Sequence, residues 1–227
     1  MNRTGDTRRS CEALVGLIAV GLGAAALAAG ASAALASRGD PQKQLVAADQ
    51  ARAKAMLVRK TDLGPGFASS RSGPDDDFYC KALDESDLTL TGDARSPDFT
   101  RGVAFVASAA QVYETRSDAN TSWRQGTSAA GERCARNQFS RSFAKQNGRL
   151  VSFARLAFPH LAERSIAYRL VEVSRGIRVY FDIVVLQRSR AQVALALAAA
   201  ATPVPRADEL QVARVVEGRM ATAMRGA

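Results

Sequence analysis

The stretch that decides the fold class is IAYRLVEVSRGIRVYFDIVV, residues 166–185. Its apolar side chains alternate with other residues at 166–170 and again at 177–185, on either side of Ser174-Arg175-Gly176. Alternation with a period of two is typical of antiparallel strands, and the residues between the two runs favour a short turn. The sequence therefore predicts a β-hairpin whose second strand is half-buried, with an outer face formed by Arg178, Tyr180 and Asp182.

Further strands and helices are predicted on both sides of this hairpin. Apolar or alternating runs predict strands at residues 88–91, 103–113, 150–158 and 191–201. The last run alternates like a strand although its composition suits a helix, and we favour the strand. Helices are predicted at residues 44–60, at 117–138 (one or two helices, interrupted near Gly126 and Gly131) and at 207–224.

The C-terminal helix has one apolar stripe at helical spacing, formed by Leu210, Ala213, Val216, Met220 and Met224. Helices before, between and after antiparallel strands bury their apolar faces best in a few packed layers. We therefore predict the α+β class, with an antiparallel β-sheet flanked by helices in a single domain.

The N-terminus has the features of an export signal. Arg3, Arg8 and Arg9 precede an uncharged run at 13–36, which ends in the small-residue sites Ala-Ser-Ala and Ala-Leu-Ala. This order predicts a signal peptide at 1–36, a short tether at 37–43 and the folded domain at 44–227. The run of about 24 residues is also long enough to span a bilayer, so an uncleaved signal anchor is the alternative.

The formal net charge of the chain is +9. The basic residues are scattered, and no basic motif interleaved with aromatic residues is present, so we predict no nucleic-acid partner. Attraction to anionic polymers of the envelope stays open as one function.

The predicted domain contains two cysteines, Cys80 and Cys134, which we expect to form a disulfide in an oxidising compartment. Cys11 falls within the signal peptide. A metal or redox site would need neighbours that the sequence lacks, since there is no C-x-x-C motif and His160 is the single histidine. We therefore predict no metal and no cofactor.

No motif in the sequence indicates a catalytic site. Asp75-Asp76-Asp77 lacks the alternation of a calcium loop, and Glu85 and Asp87 are expected in a solvated loop. His160 is expected to be incidental or structural, because nothing in the sequence places a nucleophile and an acid beside it. Four aromatic residues are candidates for lining a ligand pocket between helices and sheet: Tyr113, Trp123, Phe139 and Phe143.

The order of features resembles exported bacterial sensor domains, namely the extracellular sensor domains of certain Ser/Thr kinases and related small secreted proteins. The resemblance covers residues 44–224. It rests on Asp62-Leu63-Gly64-Pro65-Gly66-Phe67 with a cysteine soon after, Ser108-Ala109-Ala110-Gln111-Val112-Tyr113, a helix with the second cysteine, and the late hairpin. It implies a binding or sensing module with an antiparallel sheet and a cleft. Those kinase domains typically have two disulfides, whereas this chain can form one.

These observations predict a non-enzymatic, exported domain that binds a small molecule, a wall fragment or an envelope protein. Membrane contact is expected only through an uncleaved N-terminal segment. Two alternatives remain: an envelope hydrolase with a cryptic site near His160, and a basic protein that binds anionic envelope polymers.

Overall fold

The fold is α+β, as the sequence predicts. A computed structural model describes residues 39–72 and 80–226. Its strands are β1 Gln42–Lys43, β2 Ala68–Ser70, β3 Thr89–Arg95, β4 Asp98–Arg101, β5 Ala104–Tyr113, β6 Gly148–Leu156, β7 Arg164–Ser174, β8 Ile177–Arg188 and β9 Ala191–Ala200. Its α-helices are α1 Ala47–Met56, α2 Arg116–Thr127, α3 Ala129–Lys145 and α4 Arg206–Ala223. The predicted signal peptide and Asp75-Asp76-Asp77 lie outside the described residues.

All nine strands belong to one sheet, with the order β1-β3-β5-β9-β8-β7-β6 and with β4 pairing with both β2 and β5. Every pairing is antiparallel except that of β1 with β3. The predicted hairpin is confirmed as β7–β8. Its turn residues Arg175 and Gly176 have φ of 49° and 79°, and positive φ at both positions matches the right-handed twist of the paired strands.

Helices cover both faces of the sheet. Side chains of α1 and α4 share a core with Val106, Val184 and Leu195. On the other face, Phe139 and Phe143 of α3 share a core with residues that include Leu170 and Phe181. The prediction that β8 is half-buried was therefore wrong: Asp182, Val184 and Leu186 on its supposed outer face are buried beneath α4 and its neighbours.

The ends of α1 and the break between α2 and α3 differ from the predictions. Helix α1 is shorter than 44–60, because Gln42 and Lys43 pair with β3 and the chain becomes extended at Leu57. Helices α2 and α3 are separated at Ser128, between the two predicted glycines. Ser128 Oγ accepts a hydrogen bond from the Gly131 N–H, which caps α3, and α3 then continues beyond residue 138 to Lys145.

Two of the last elements also refine the predictions. The ambiguous segment at 191–201 is a strand, β9, because it pairs with β5 and β8 along its whole length. In α4 the predicted stripe is shifted: Leu210 is half-buried, while the neighbouring Glu209 and Val212 are buried. Strand β6 begins and ends two residues earlier than predicted.

No helix in the described part of the chain is long and apolar enough to cross a membrane.

The predicted disulfide is confirmed. Cys80 and Cys134 are bonded, with their Cα atoms 6.3 Å apart and a sequence separation of 54 residues. The bond attaches the segment before β3 to the middle of α3.

Candidate functional site

The described part of the structure contains a cavity of about 340 Å³ on the outer side of α3. We call it the α3 cavity; it is lined by Cys80, Ala130, Arg133, Cys134, Asn137, Gln138 and Arg141. All but Cys80 belong to α3, where steps of three or four residues place side chains on one face. The cavity therefore follows the helix for about three turns.

The inner face of α3 determines which residues line this cavity. Phe139 and Phe143 are buried against the sheet, and their rings lie 6.1 Å apart. The ring of Phe143 also stacks on that of Phe181 of β8, with 5.4 Å between the ring centroids. The centroids of the Phe139 and Phe153 rings are 6.2 Å apart, and Phe153 belongs to β6. Because these rings fix the rotation of the helix, Arg133, Asn137 and Arg141 must point away from the sheet.

The segment that contains Cys80 is fixed on one side of the cavity. A short 3₁₀ helix, Lys81–Leu83, follows Cys80, and the Leu83 N–H donates to the Cys80 carbonyl at 2.8 Å. Gln125 Nε2 of α2 donates to the Asp84 carbonyl at 2.9 Å. A side chain at Gly131 would collide with the Gln125 backbone and crowd Leu83, so this glycine permits the close approach.

Among the described lining residues, Arg133 and Arg141 carry the charge, and neither has a carboxylate partner in the described part of the chain. Other arginines are already neutralised: Arg169 makes a bidentate pair with Asp182 at 2.6 and 2.7 Å, and Arg155 pairs with Glu132. An exposed guanidinium without a partner is free to bind an incoming carboxylate or phosphate.

Sequence reasoning identified Cys80 and Cys134 but missed the polar residues of the cavity. Arg133, Asn137 and Arg141 recur every four residues on the helix that contains the second cysteine. That spacing could have indicated one polar stripe beside the disulfide.

The structure places the four predicted aromatic residues in different surroundings. Phe139 and Phe143 lie together in the core beneath α3. Tyr113 is fully buried in a separate cluster with Leu88, Leu90 and Ala119. Trp123 is half-buried on α2. None of the four lines the α3 cavity.

The remaining candidate residues lie elsewhere. Glu85 is not in a solvated loop as expected: Tyr113 Oη donates to its Oε2 at 3.2 Å, and burial raises the pKa of Glu85. Glu85 begins the turn before β3, in which the Leu88 N–H donates to the Glu85 carbonyl at 2.8 Å. Asp87 is exposed, and His160 is exposed in the loop between β6 and β7. The described residues contain no cluster of three or more potential metal ligands.

Two solved structures are similar to this chain at low TM-scores and low identity. No family model and no curated protein matches the chain. The extracellular domain of PknH from Mycobacterium tuberculosis matches with a TM-score of 0.46 and 11% identity, over 78% of this chain and 97% of that one. The Rv0999 ortholog from Mycobacterium smegmatis matches with a TM-score of 0.41 and 14% identity, over 75% and 98%. The likeness to an extracellular domain agrees with the resemblance described above, and at these TM-scores it carries no further conclusion.

Proposed function

We propose that this chain is an exported, non-enzymatic domain that binds an anionic ligand of the cell envelope in the α3 cavity. The observation that carries the proposal is the pair of arginines without carboxylate partners, Arg133 and Arg141, in a cavity of about 340 Å³. A volume in this range suits a small molecule or a fragment of a larger one.

The lining residues are suited to holding a ligand. Each guanidinium can donate two parallel hydrogen bonds to a carboxylate or phosphate. Asn137 and Gln138 each offer a donor and an acceptor, which match hydroxyl and amide groups. Guanidiniums and amides do not act as nucleophiles or general bases near neutral pH, so this set of side chains favours binding over catalysis.

Export is supported by two independent features of the chain. The sequence begins with the pattern of a secretory signal, and Cys80 and Cys134 form a disulfide. Disulfides persist in oxidising compartments outside the cytoplasm. The ligand that we propose is therefore one encountered in the envelope or beyond it.

The test is thermal unfolding in the presence of a panel of anionic glycans, acidic peptides and anionic lipids. A ligand that binds the folded state raises the Tm. We expect at least one class to raise the Tm of the wild type and to lose that effect in an Arg133→Gln/Arg141→Gln double variant.

The matched control is Arg178→Gln/Arg214→Gln, which removes the same charge from two exposed arginines outside the cavity. This control should respond to the ligand like the wild type. The proposal fails if no member of the panel raises the Tm, or if both double variants lose the response equally, since that would indicate net charge alone.

A further inference from the structure

The polar residues of the α3 cavity have a regular order along the helix. Arg133, Asn137 and Arg141 are four residues apart, so an amide lies midway between two cations. With a rise of about 1.5 Å per residue, the two arginines are separated by about 12 Å along the helix axis. A ligand that has one anionic group at each end of this interval can contact both arginines without either side chain leaning along the helix.

Arg133 and Arg141 are the arginines that line the cavity, and both are exposed and without a carboxylate partner among the described residues. The nearby Arg136 donates from Nη2 to the Phe153 carbonyl, and Arg155 is held by Glu132 and by the Thr127 carbonyl. Positive charge is therefore concentrated at two points along the cavity, with neutral Asn137 and Gln138 between them.

We infer that the α3 cavity is specific for an extended dianion: a ligand with two carboxylate or phosphate groups about 12 Å apart, joined by a middle segment that bears amides or hydroxyls. This inference rests on the proposed function and names the class of its ligand. Arg133 holds one anionic group, Arg141 holds the other, and the Asn137 amide hydrogen-bonds the segment between them.

Two-point binding has a measurable signature. Once one end is bound, the other end is held near its own arginine at a high effective concentration, provided that the segment between them can span the gap. Affinity should therefore rise steeply when the spacing reaches about 12 Å. Removing either arginine should abolish this gain as completely as removing both.

The probes are peptides of the form acetyl-Glu-Glyₙ-Glu-amide with n from 0 to 6, whose binding is measured by calorimetry at constant ionic strength. An extended chain advances about 3.3 to 3.6 Å per residue, so n near 3 spans the gap. We expect the n = 3 peptide to bind at least 10-fold more tightly than n = 0. In Arg133→Gln and in Arg141→Gln its affinity should fall to that of n = 0.

Two further arms sharpen the test. The Arg178→Gln/Arg214→Gln control should keep the full length dependence. Peptides with phosphoserine in place of both glutamates should show the same dependence, and the tighter series identifies the preferred anion.

The possible failures are distinguishable. If all lengths bind equally and the double cavity variant loses them all, the two-point inference is wrong and the proposed function stands. If no dianionic peptide binds but another member of the thermal panel does, the two-point inference is again wrong and the proposed function again stands. If neither the peptides nor the panel bind, both proposals fail.

Discussion

At the scale of single residues, Glu172 is a carboxyl group in an apolar environment. Its side chain is 1% exposed, and its neighbours across β6 and β8 are Leu150 and Val179. Gly148 lies directly against the carboxyl group, where any larger residue would collide with it. Its Oε2 has no hydrogen-bond partner in the described structure. Burial consequently raises the pKa of Glu172 to about 7.

This pKa predicts that stability falls as pH rises. Below the unfolded pKa of about 4.5 the group is protonated in both states and has no effect. Between 4.5 and about 7 the folded state binds the proton more tightly, so the free energy of unfolding decreases with pH. Above pH 7 the full penalty applies, on the order of 3 kcal/mol.

We expect Glu172→Gln to remove the Glu172 contribution to this slope, leaving that of Glu85, and to raise the free energy of unfolding at pH 8 by about 2–3 kcal/mol. Urea denaturation between pH 4.5 and 8 measures both effects. Glu114→Gln, which changes an exposed glutamate, is the control and should follow the wild type. If the free energy of unfolding varied with pH in the same way for the wild type and Glu172→Gln, the raised pKa of Glu172 would be contradicted.

At the scale of elements, helix α3 combines two constraints: its inner aromatic face packs on the sheet and its outer face is tied to Cys80. A crosslink over 54 residues restricts the unfolded chain far more than the folded one. For a loop of this size the chain-entropy model gives a stabilisation of about 4 kcal/mol.

We therefore expect the double variant Cys80→Ser/Cys134→Ser to lose about 4 kcal/mol of unfolding free energy, measured by urea denaturation under oxidising conditions. The reduced wild type should unfold at the same urea concentration as the variant. The reductant should not change the unfolding midpoint of the variant, which has no disulfide. Equal midpoints for the oxidised wild type and the variant would show that the crosslink adds no stability.

The elements that could be predicted from sequence are those determined by local pattern. The β7–β8 hairpin follows from strict alternation on both sides of Arg175-Gly176. The break between α2 and α3 was predicted from Gly126 and Gly131, and it lies between them, at Ser128. The ends of α1 could not be predicted, because pairing of Gln42 with Thr89 of β3 stops the helix from extending toward the N-terminus. Such contacts join distant segments and have no local signal.

At the scale of the whole molecule, the same limit applies to the candidate site. The sequence predicted a disulfide on a helix, and the structure adds that Arg133 and Arg141 share its outer face. A charged residue on a helix has the same local pattern whether it faces open solvent or a cavity. The packing of Phe139 and Phe143 on the sheet, together with the bond to Cys80, decides which face is outward.

A long-range hydrogen-bonded ion pair joins Asp49 of α1 to Arg190, which precedes β9 and lies 141 residues away in sequence. Arg190 Nη1 and Nη2 donate to the two carboxylate oxygens at 2.8 and 2.9 Å, and Nη1 also donates to the Tyr113 carbonyl at 2.8 Å. Thr91 Oγ1 donates to Asp49 at 2.6 Å. This ion pair, in which Asp49 is buried, thus connects helix α1 to strands β3 and β5 and to the turn before β9.

Breaking this pair should destabilise the entire domain. The Arg190 guanidinium holds the pKa of Asp49 well below its usual range, so the pair is intact at neutral pH. Asp49→Asn removes the counter-charge of Arg190, whose side chain is 17% exposed, and we expect a loss of about 3 kcal/mol at pH 7, the lower end for a buried pair.

The pH dependence separates this effect from a simple packing defect. Because the folded pKa of Asp49 is depressed, its contribution is complete above the unfolded pKa of about 3.8 and declines as pH falls below that value. The gap in unfolding free energy between the wild type and Asp49→Asn should therefore be widest near pH 5–7 and narrower at pH 2. Asp87→Asn, in an exposed turn, serves as the control and should show no gap at either pH. A gap that stays constant from pH 7 to pH 2 would mean that the charge of Asp49 contributes nothing and that the loss arises from shape alone.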